Sequence, residues 1–164
     1  MNLAPTRGHR GFTLIELLVV IAIIGILSAV VLASLNSART KGVDAAVKSN
    51  LATIQTQAEL YYDDNNNAYG TTAHTLTNCN LSATGNMFAN ATIKSAIQNA
   101  TSTLGGPSVF CQVTTGTNSA FMVYAPLKDT TNGQRYYCVD SFGRATTTAT
   151  VPTAISGTTG GCPS

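Results

Sequence analysis

Arg10-Gly11-Phe12-Thr13-Leu14-Ile15-Glu16-Leu17-Leu18-Val19-Val20-Ile21-Ala22-Ile23-Ile24-Gly25-Ile26-Leu27-Ser28-Ala29-Val30-Val31-Leu32-Ala33-Ser34-Leu35 decides how this chain folds. From Phe12 to Leu35 the sole ionisable side chain is Glu16, and an apolar run of that length crosses a hydrocarbon core of roughly 30 Å as a helix. A carboxylate inside such a helix costs up to about 3 kcal/mol, so it is read by default as functional and in need of a partner. Gly25, Ala29 and Ala33 recur every four residues, a small-residue stripe that lets a second helix approach closely. A signal anchor with one stray Glu, or a secretory signal peptide cut after Ala33 or Ala38, is the competing reading. Against the signal peptide stands the length of the run, beyond the usual core of about 7–15 residues, and against both stands the cost of the Glu.

A short basic leader ending in Gly, then Phe-Thr-Leu-Ile-Glu, then an unbroken apolar helix, resembles the class III signal of type IV prepilins and their pseudopilin relatives. Gly11 matches the last leader residue, Phe12 the first mature residue and Glu16 the acid four positions on. The resemblance implies three segments: a leader over 1–11, a transmembrane and assembly helix over 12–35, and a globular head over 36–164. It implies prepilin peptidase as the processing enzyme, with cleavage between Gly11 and Phe12 and N-methylation of Phe12. It implies polymerisation with copies of the same chain, in which Glu16, Gly25, Ala29 and Ala33 carry assembly, and a pilus assembly platform as a further partner. The precursor is then expected in the bacterial inner membrane, and the product in an extracellular pilus or a periplasmic filament. Many pilins carry a proline in the membrane helix, and none stands here. The motif covers only the first part of the chain, and beyond about Ala68 no family pattern is matched.

Flanking charge does not orient the membrane helix by itself, because Arg7, His9 and Arg10 precede it while Arg39 and Lys41 follow. After Leu35 the pattern becomes amphipathic without a stop. Val43, Val47, Leu51, Ile54, Ala58 and Tyr61 recur at spacings of three and four, which predicts one helix from about Thr13 to Tyr62. Gly42 costs it about 1 kcal/mol and marks a site for a bend. Asp63-Asp64-Asn65-Asn66-Asn67 ends it, since Asn and Asp favour caps and turns. The same cluster lacks the alternating ligands and terminal Glu of a calcium loop, so no metal is expected.

The head reads as a loop at Cys79, a short helix near Met87–Gln98 with Phe88, Ile93 and Ile97 inward, and then strands. Val109–Thr114, Ala120–Leu127 and Gln134–Asp140 are rich in β-branched and aromatic residues. Gly116-Thr117-Asn118 and Asn132-Gly133 supply the turns, the second being a strong hairpin signal. Phe121, Val123, Ala125 and Leu127 share one face by period-two spacing, and that face is expected to cover the amphipathic half of the helix. The fold class is therefore α+β, a long N-terminal helix packed against a small antiparallel sheet. Residues 144–164 are rich in Thr, Ser and Gly and read as a mobile tail anchored by Cys162.

Four cysteines in a small exported head argue for two disulfides in an oxidising compartment. Cys79–Cys111 with Cys138–Cys162 is the expected pairing, one of three possible. Each bridge closes a loop of roughly 25–35 residues, contributing about 3–4 kcal/mol in the chain-entropy model. Nine basic and seven acidic side chains give the whole chain a net charge of +2. Loss of Arg7 and Arg10 with the leader leaves 9 − 2 = 7 basic against seven acidic groups. No broad basic surface for nucleic acid follows from that balance. No catalytic constellation, cofactor motif or phosphate loop is found, and His74 has no local motif that sets it beside a nucleophile. The chain reads as a substrate for enzymes rather than an enzyme. Three functions stay open: a structural pilin serving adhesion, motility or surface contact; a pseudopilin of a type II secretion or DNA-uptake system; and a membrane-anchored binding domain that never polymerises.

Overall fold

A computed structural model describes residues 11–79, 84–106, 108–116, 119–156 and 159–163. The chain divides after Ala38 into two units. Helix α1, Leu14–Asp64, contributes to both and stays helical through Gly42. Its end is built by asparagines. The Asn67 N–H donates to the Tyr62 carbonyl at 3.0 Å and the Asn65 side chain donates to the Tyr61 carbonyl at 2.8 Å, which satisfies carbonyls that the helix leaves open. Asn66 and Asn67 adopt left-handed φ values of 55° and 57°, a conformation Asn tolerates better than most residues.

The second unit, from Arg39 onward, is built on a five-stranded antiparallel sheet. Its strands are β1 (His74–Asn78), β2 (Phe110–Val113), β3 (Phe121–Pro126), β4 (Tyr136–Asp140) and β5 (Ala145–Thr148), in that spatial order. A hairpin of β6 (Thr153–Ser156) and β7 (Thr159–Gly161) follows. Val47, Leu51, Ile54 and Ala58 of α1 are fully buried in one cluster with Phe121, Val123 and Ala125 of β3. Leu127 joins it, so the face expected from period-two spacing is the face that meets the helix. Ile93 and Ile97 of helix α2 (Ala91–Leu104) complete this core.

Besides strand β1, where the sequence pattern gives no strand, three elements differ from the sequence expectation. The helix expected over Met87–Gln98 is a 3₁₀ turn, Met87–Ala89, followed by α2. Asn90 separates them because its side chain accepts hydrogen bonds from the Thr92 and Ile93 N–H groups and so starts a new helix. Buried Ala100 and Leu104 extend the apolar face past Gln98, and Gly105, at φ 85°, closes it. Asn132-Gly133 does not form a two-residue hairpin, since β3 ends at Pro126 and β4 begins at Tyr136. Asp44 holds that longer loop, accepting from the backbone N–H groups of Lys128 (2.6 Å) and Asp129 (3.0 Å). Of the Gly116-Thr117-Asn118 turn, residues 117 and 118 lie outside the described residues.

The third difference concerns the tail, which forms β5, β6 and β7. Besides Cys162, polar side chains reaching from the sheet hold it. The side-chain amide of Gln112 donates to the Ile155 carbonyl at 2.9 Å and its oxygen accepts from the Ile155 N–H at 2.8 Å, so one glutamine replaces a stretch of strand pairing. Asp140 is fully buried and accepts from the N–H groups of Phe142, Arg144 and Cys162 and from Arg144 Nε. Gly161 sits against this node at φ 106°, where an added Cβ would stand 2.8 Å from Asp140 Oδ2. A second apolar cluster of Met122, Tyr124, Cys138, Ile155 and Cys162 forms as a result. This explains why β3 is buried at five consecutive positions instead of alternating.

Because Asp140 compensates several donors at once, Asp140→Ala is expected to lower the stability of the head by about 3–5 kcal/mol, the range for breaking a buried charge network. Urea unfolding followed by circular dichroism measures this. A loss below about 1 kcal/mol, the level of a single ordinary hydrogen bond, would show that the node is not limiting.

Candidate assembly site at the start of the apolar helix

Within the first unit, Thr13 and Glu16 form the polar start of α1. The Thr13 N–H and the Thr13 hydroxyl both donate to Glu16 Oε2, at 2.9 and 2.8 Å. The Glu16 N–H in turn approaches Thr13 Oγ1 at 3.3 Å. This is a reciprocal capping box: the threonine at the helix boundary and the glutamate three residues on satisfy each other's backbone donors. The carboxylate is thus held in a fixed orientation and matches the positive end of the helix dipole. Both bonds fall on Oε2. Sequence reasoning identified Glu16 from its cost in the membrane and overlooked Thr13, whose signal was the Thr-x-x-Glu spacing before an apolar run.

The apolar side chains of this part of the helix are left exposed among the described residues. The large ones run from 84% exposed for Phe12 to 48% for Val20, whereas a soluble helix would bury one face. By length and composition this helix can cross a membrane. Gly25, Ala29 and Ala33 lie on its exposed surface, four residues apart and therefore along one side. A Cβ placed on Gly25 would meet nothing within 4 Å. Gly11 and Phe12 are exposed and precede the first helical residue.

The remaining residues singled out from sequence lie in the head. Disulfides join Cys79 to Cys111 and Cys138 to Cys162, with Cα–Cα distances of 5.0 and 5.5 Å. His74 packs edge-on against Phe88, with ring centroids 5.7 Å apart. Among the described residues no group of three or more His, Cys, Asp or Glu is placed to hold a metal ion.

Comparison with known proteins defines the class of this N-terminal segment. Residues 6–32 match the family model described as the prokaryotic N-terminal methylation motif. Over 60 residues the chain is 48% identical to the type IV wide pilus major component PilA4 of Thermus thermophilus, covering 37% of this chain and 46% of the relative. Over 59 residues it is 36% identical to the type II secretion system core protein G of Dickeya chrysanthemi, covering 36% and 39%. The chain thus spans less than half the length of these curated relatives. No solved structure matches it. A class III signal followed by an apolar helix fits a membrane-anchored precursor.

Thr13→Ala removes the side-chain half of the cap, worth about 1 kcal/mol, so amide exchange over Leu14–Leu17 in the detergent-solubilised protein is expected to quicken about fivefold. Thr13→Ser, which keeps the hydroxyl, is expected to stay close to the wild type. Hydrogen exchange read by mass spectrometry distinguishes the two.

Proposed function

We propose that the chain is the precursor of a structural subunit of a type IV pilus-like filament, inserted in the inner membrane and processed by prepilin peptidase. One observation carries this reading: Gly11-Phe12, the Thr13–Glu16 cap and an unpartnered apolar helix stand in one fixed register, inside a segment that matches the methylation motif. In this reading the peptidase cuts between Gly11 and Phe12, since a side chain at the leader's last position would obstruct the scissile backbone. All parts of the cap lie on the mature side of that cut and survive it.

The new α-amino group of Phe12, N-methylated yet still cationic, then has a counter-charge in the Glu16 of a copy already in the filament. Burial of either charge alone in a low-dielectric helix bundle costs several kcal/mol, so the pair sets the axial register of packing. Thr13 contributes by presenting the carboxylate ready oriented. The stripe of Gly25, Ala29 and Ala33 admits the neighbouring helix. A role in secretion, as a subunit of a type II secretion filament, is the second reading, favoured by the similarity to the secretion core protein. The cysteine-stapled head and neutral, Thr-rich composition weigh toward the pilus.

Electron microscopy of filaments sheared from native cells, with mass spectrometry of their subunit, tests the proposal. Filaments whose subunit begins at methylated Phe12 are expected. A subunit beginning at Met1, Ser34 or Arg39 would overturn the processing step. Glu16→Gln is expected to leave membrane insertion and cleavage intact while filament yield drops sharply. Wild-type yield from that variant would remove the pairing role.

A further inference from the structure

We infer that the head carries a self-complementary charge stripe along α1, through which a second copy docks, displaced along the helix axis. The inference rests on the filament reading above and adds the surface by which heads recognise one another. Lys41, Lys48, Glu59 and Asp63 are separated by 7, 11 and 4 residues, which on a helix of 3.6 residues per turn places all four within about 60° of arc. The core residues Val47, Leu51, Ile54 and Ala58 occupy a neighbouring sector, so the stripe flanks the buried face. Lys41, Glu59 and Asp63 are exposed and Lys48 is half-buried. Exposed Ala52 lies between the two signs. The stripe therefore begins basic and ends acidic.

The surrounding surface reinforces each sign. Asp44 ties the loop after β3 to the start of the head through the Lys128 and Asp129 amides, and a cavity of about 160 Å³ there is lined by Lys48, Asp129 and Arg135 among others. Arg39, Lys41, Lys48, Lys128 and Arg135 against Asp44 and Asp129 make 5 − 2 = +3 at this end. Arg135 keeps a buried Nε without a hydrogen-bond partner among the described residues. Glu59, Asp63 and Asp64 make −3 where α1 ends. Glu59 already accepts the Tyr69 hydroxyl at 3.0 Å. Desolvation first, and this carboxylate second, raise the Tyr69 pKa, so the tyrosine stays neutral.

An unshifted antiparallel neighbour would also pair the two signs, but the filament reading sets the copies parallel, and there the signs meet only after an axial displacement. Lys41 and Glu59 lie 18 residues apart, or about 27 Å, and Lys48 and Asp63 lie 15 residues apart, or about 22 Å. One axial displacement near 25 Å brings both lysines of one copy within side-chain reach of both acids of the next. Such contacts are heterologous, each head offering a different end to each neighbour, and heterologous contacts that do not close generate filaments. Single exposed pairs contribute little, yet the pattern recurs at every subunit and penalises wrong registers by like-charge contact. An anionic lipid surface is the other partner that the basic end could meet, and it provides no role for the acidic one.

Zero-length carbodiimide coupling of sheared wild-type filaments tests this directly. Lys48 and Glu59 of one copy are about 16 Å apart along the helix, too far for such a link, so peptides joining Lys41 or Lys48 to Glu59 or Asp63 must come from two copies. Those links are expected. Lys48→Glu and Asp63→Lys are each expected to reduce filament yield several-fold, and the double variant, which restores that pair with its signs exchanged, to recover much of it. Asp63→Lys spares the Tyr69 hydrogen bond, which Glu59→Lys would not. Wild-type filaments without these links, or single variants polymerising at the wild-type level, overturn the inference while leaving the filament reading intact. Loss of Lys48→Glu precursor from the membrane fraction, unrescued by Asp63→Lys, assigns the basic end to lipid and also overturns it. Cells that shed no filament of this subunit overturn both readings.

Discussion

The head depends on one contact, the α1 stripe of Val47, Leu51, Ile54 and Ala58 against Phe121, Val123 and Ala125 of β3. Neither partner is stable alone: a helix of this kind draws most of its stability from packing its apolar face, and isolated strands need a hydrophobic face covered. The strands on either side of β3 are positioned by pairing with it, and α2 closes the same core. Every other feature of the head is arranged around that layer.

A different constraint governs the first unit. Its large apolar side chains are exposed among the described residues, so its stability is set by what surrounds it, lipid or other helices. In such surroundings an unsatisfied backbone donor costs several kcal/mol, and this gives the Thr13–Glu16 cap its importance at the one helix end that begins among apolar residues. In the proposed filament, the carboxylate that completes the helix start is also the one that meets the neighbouring subunit's amine.

The polar nodes of the head work by supplying bonds that the strand pattern lacks. Asp44, Gln112 and Asp140 are buried, and each takes backbone donors from segments far away in sequence, at 128–129, 155 and 162. Long-range side-chain to backbone bonds of this type leave no periodic trace, since any Asp, Asn or Gln in a polar stretch looks alike until its partner is known. For that reason the Thr-rich tail carries no strand signal in its sequence, although β5 to β7 form there. Strand β1 was missed on similar grounds: His74-Thr75-Leu76-Thr77-Asn78 offers a single aliphatic residue, and an edge strand with an exposed face requires no more.

What the sequence determined by itself is whatever rests on local periodicity: the long helix and its Asn-rich end, the apolar run with one acid, the inward face of β3 and the small-residue stripe. These are legible because burial or exposure repeats every 3.6 or two residues, whatever the rest of the chain does. Tertiary structure alone decided that the loop at Asn132-Gly133 is long and that β3 is covered on both faces. Both depend on a partner brought from elsewhere in the chain: Asp44 for the loop, Ile155 and Cys162 for the back of β3. Proximity in space is not encoded in neighbouring residues, and hydrogen bonds and contacts that depend on it become visible only once the chain has folded.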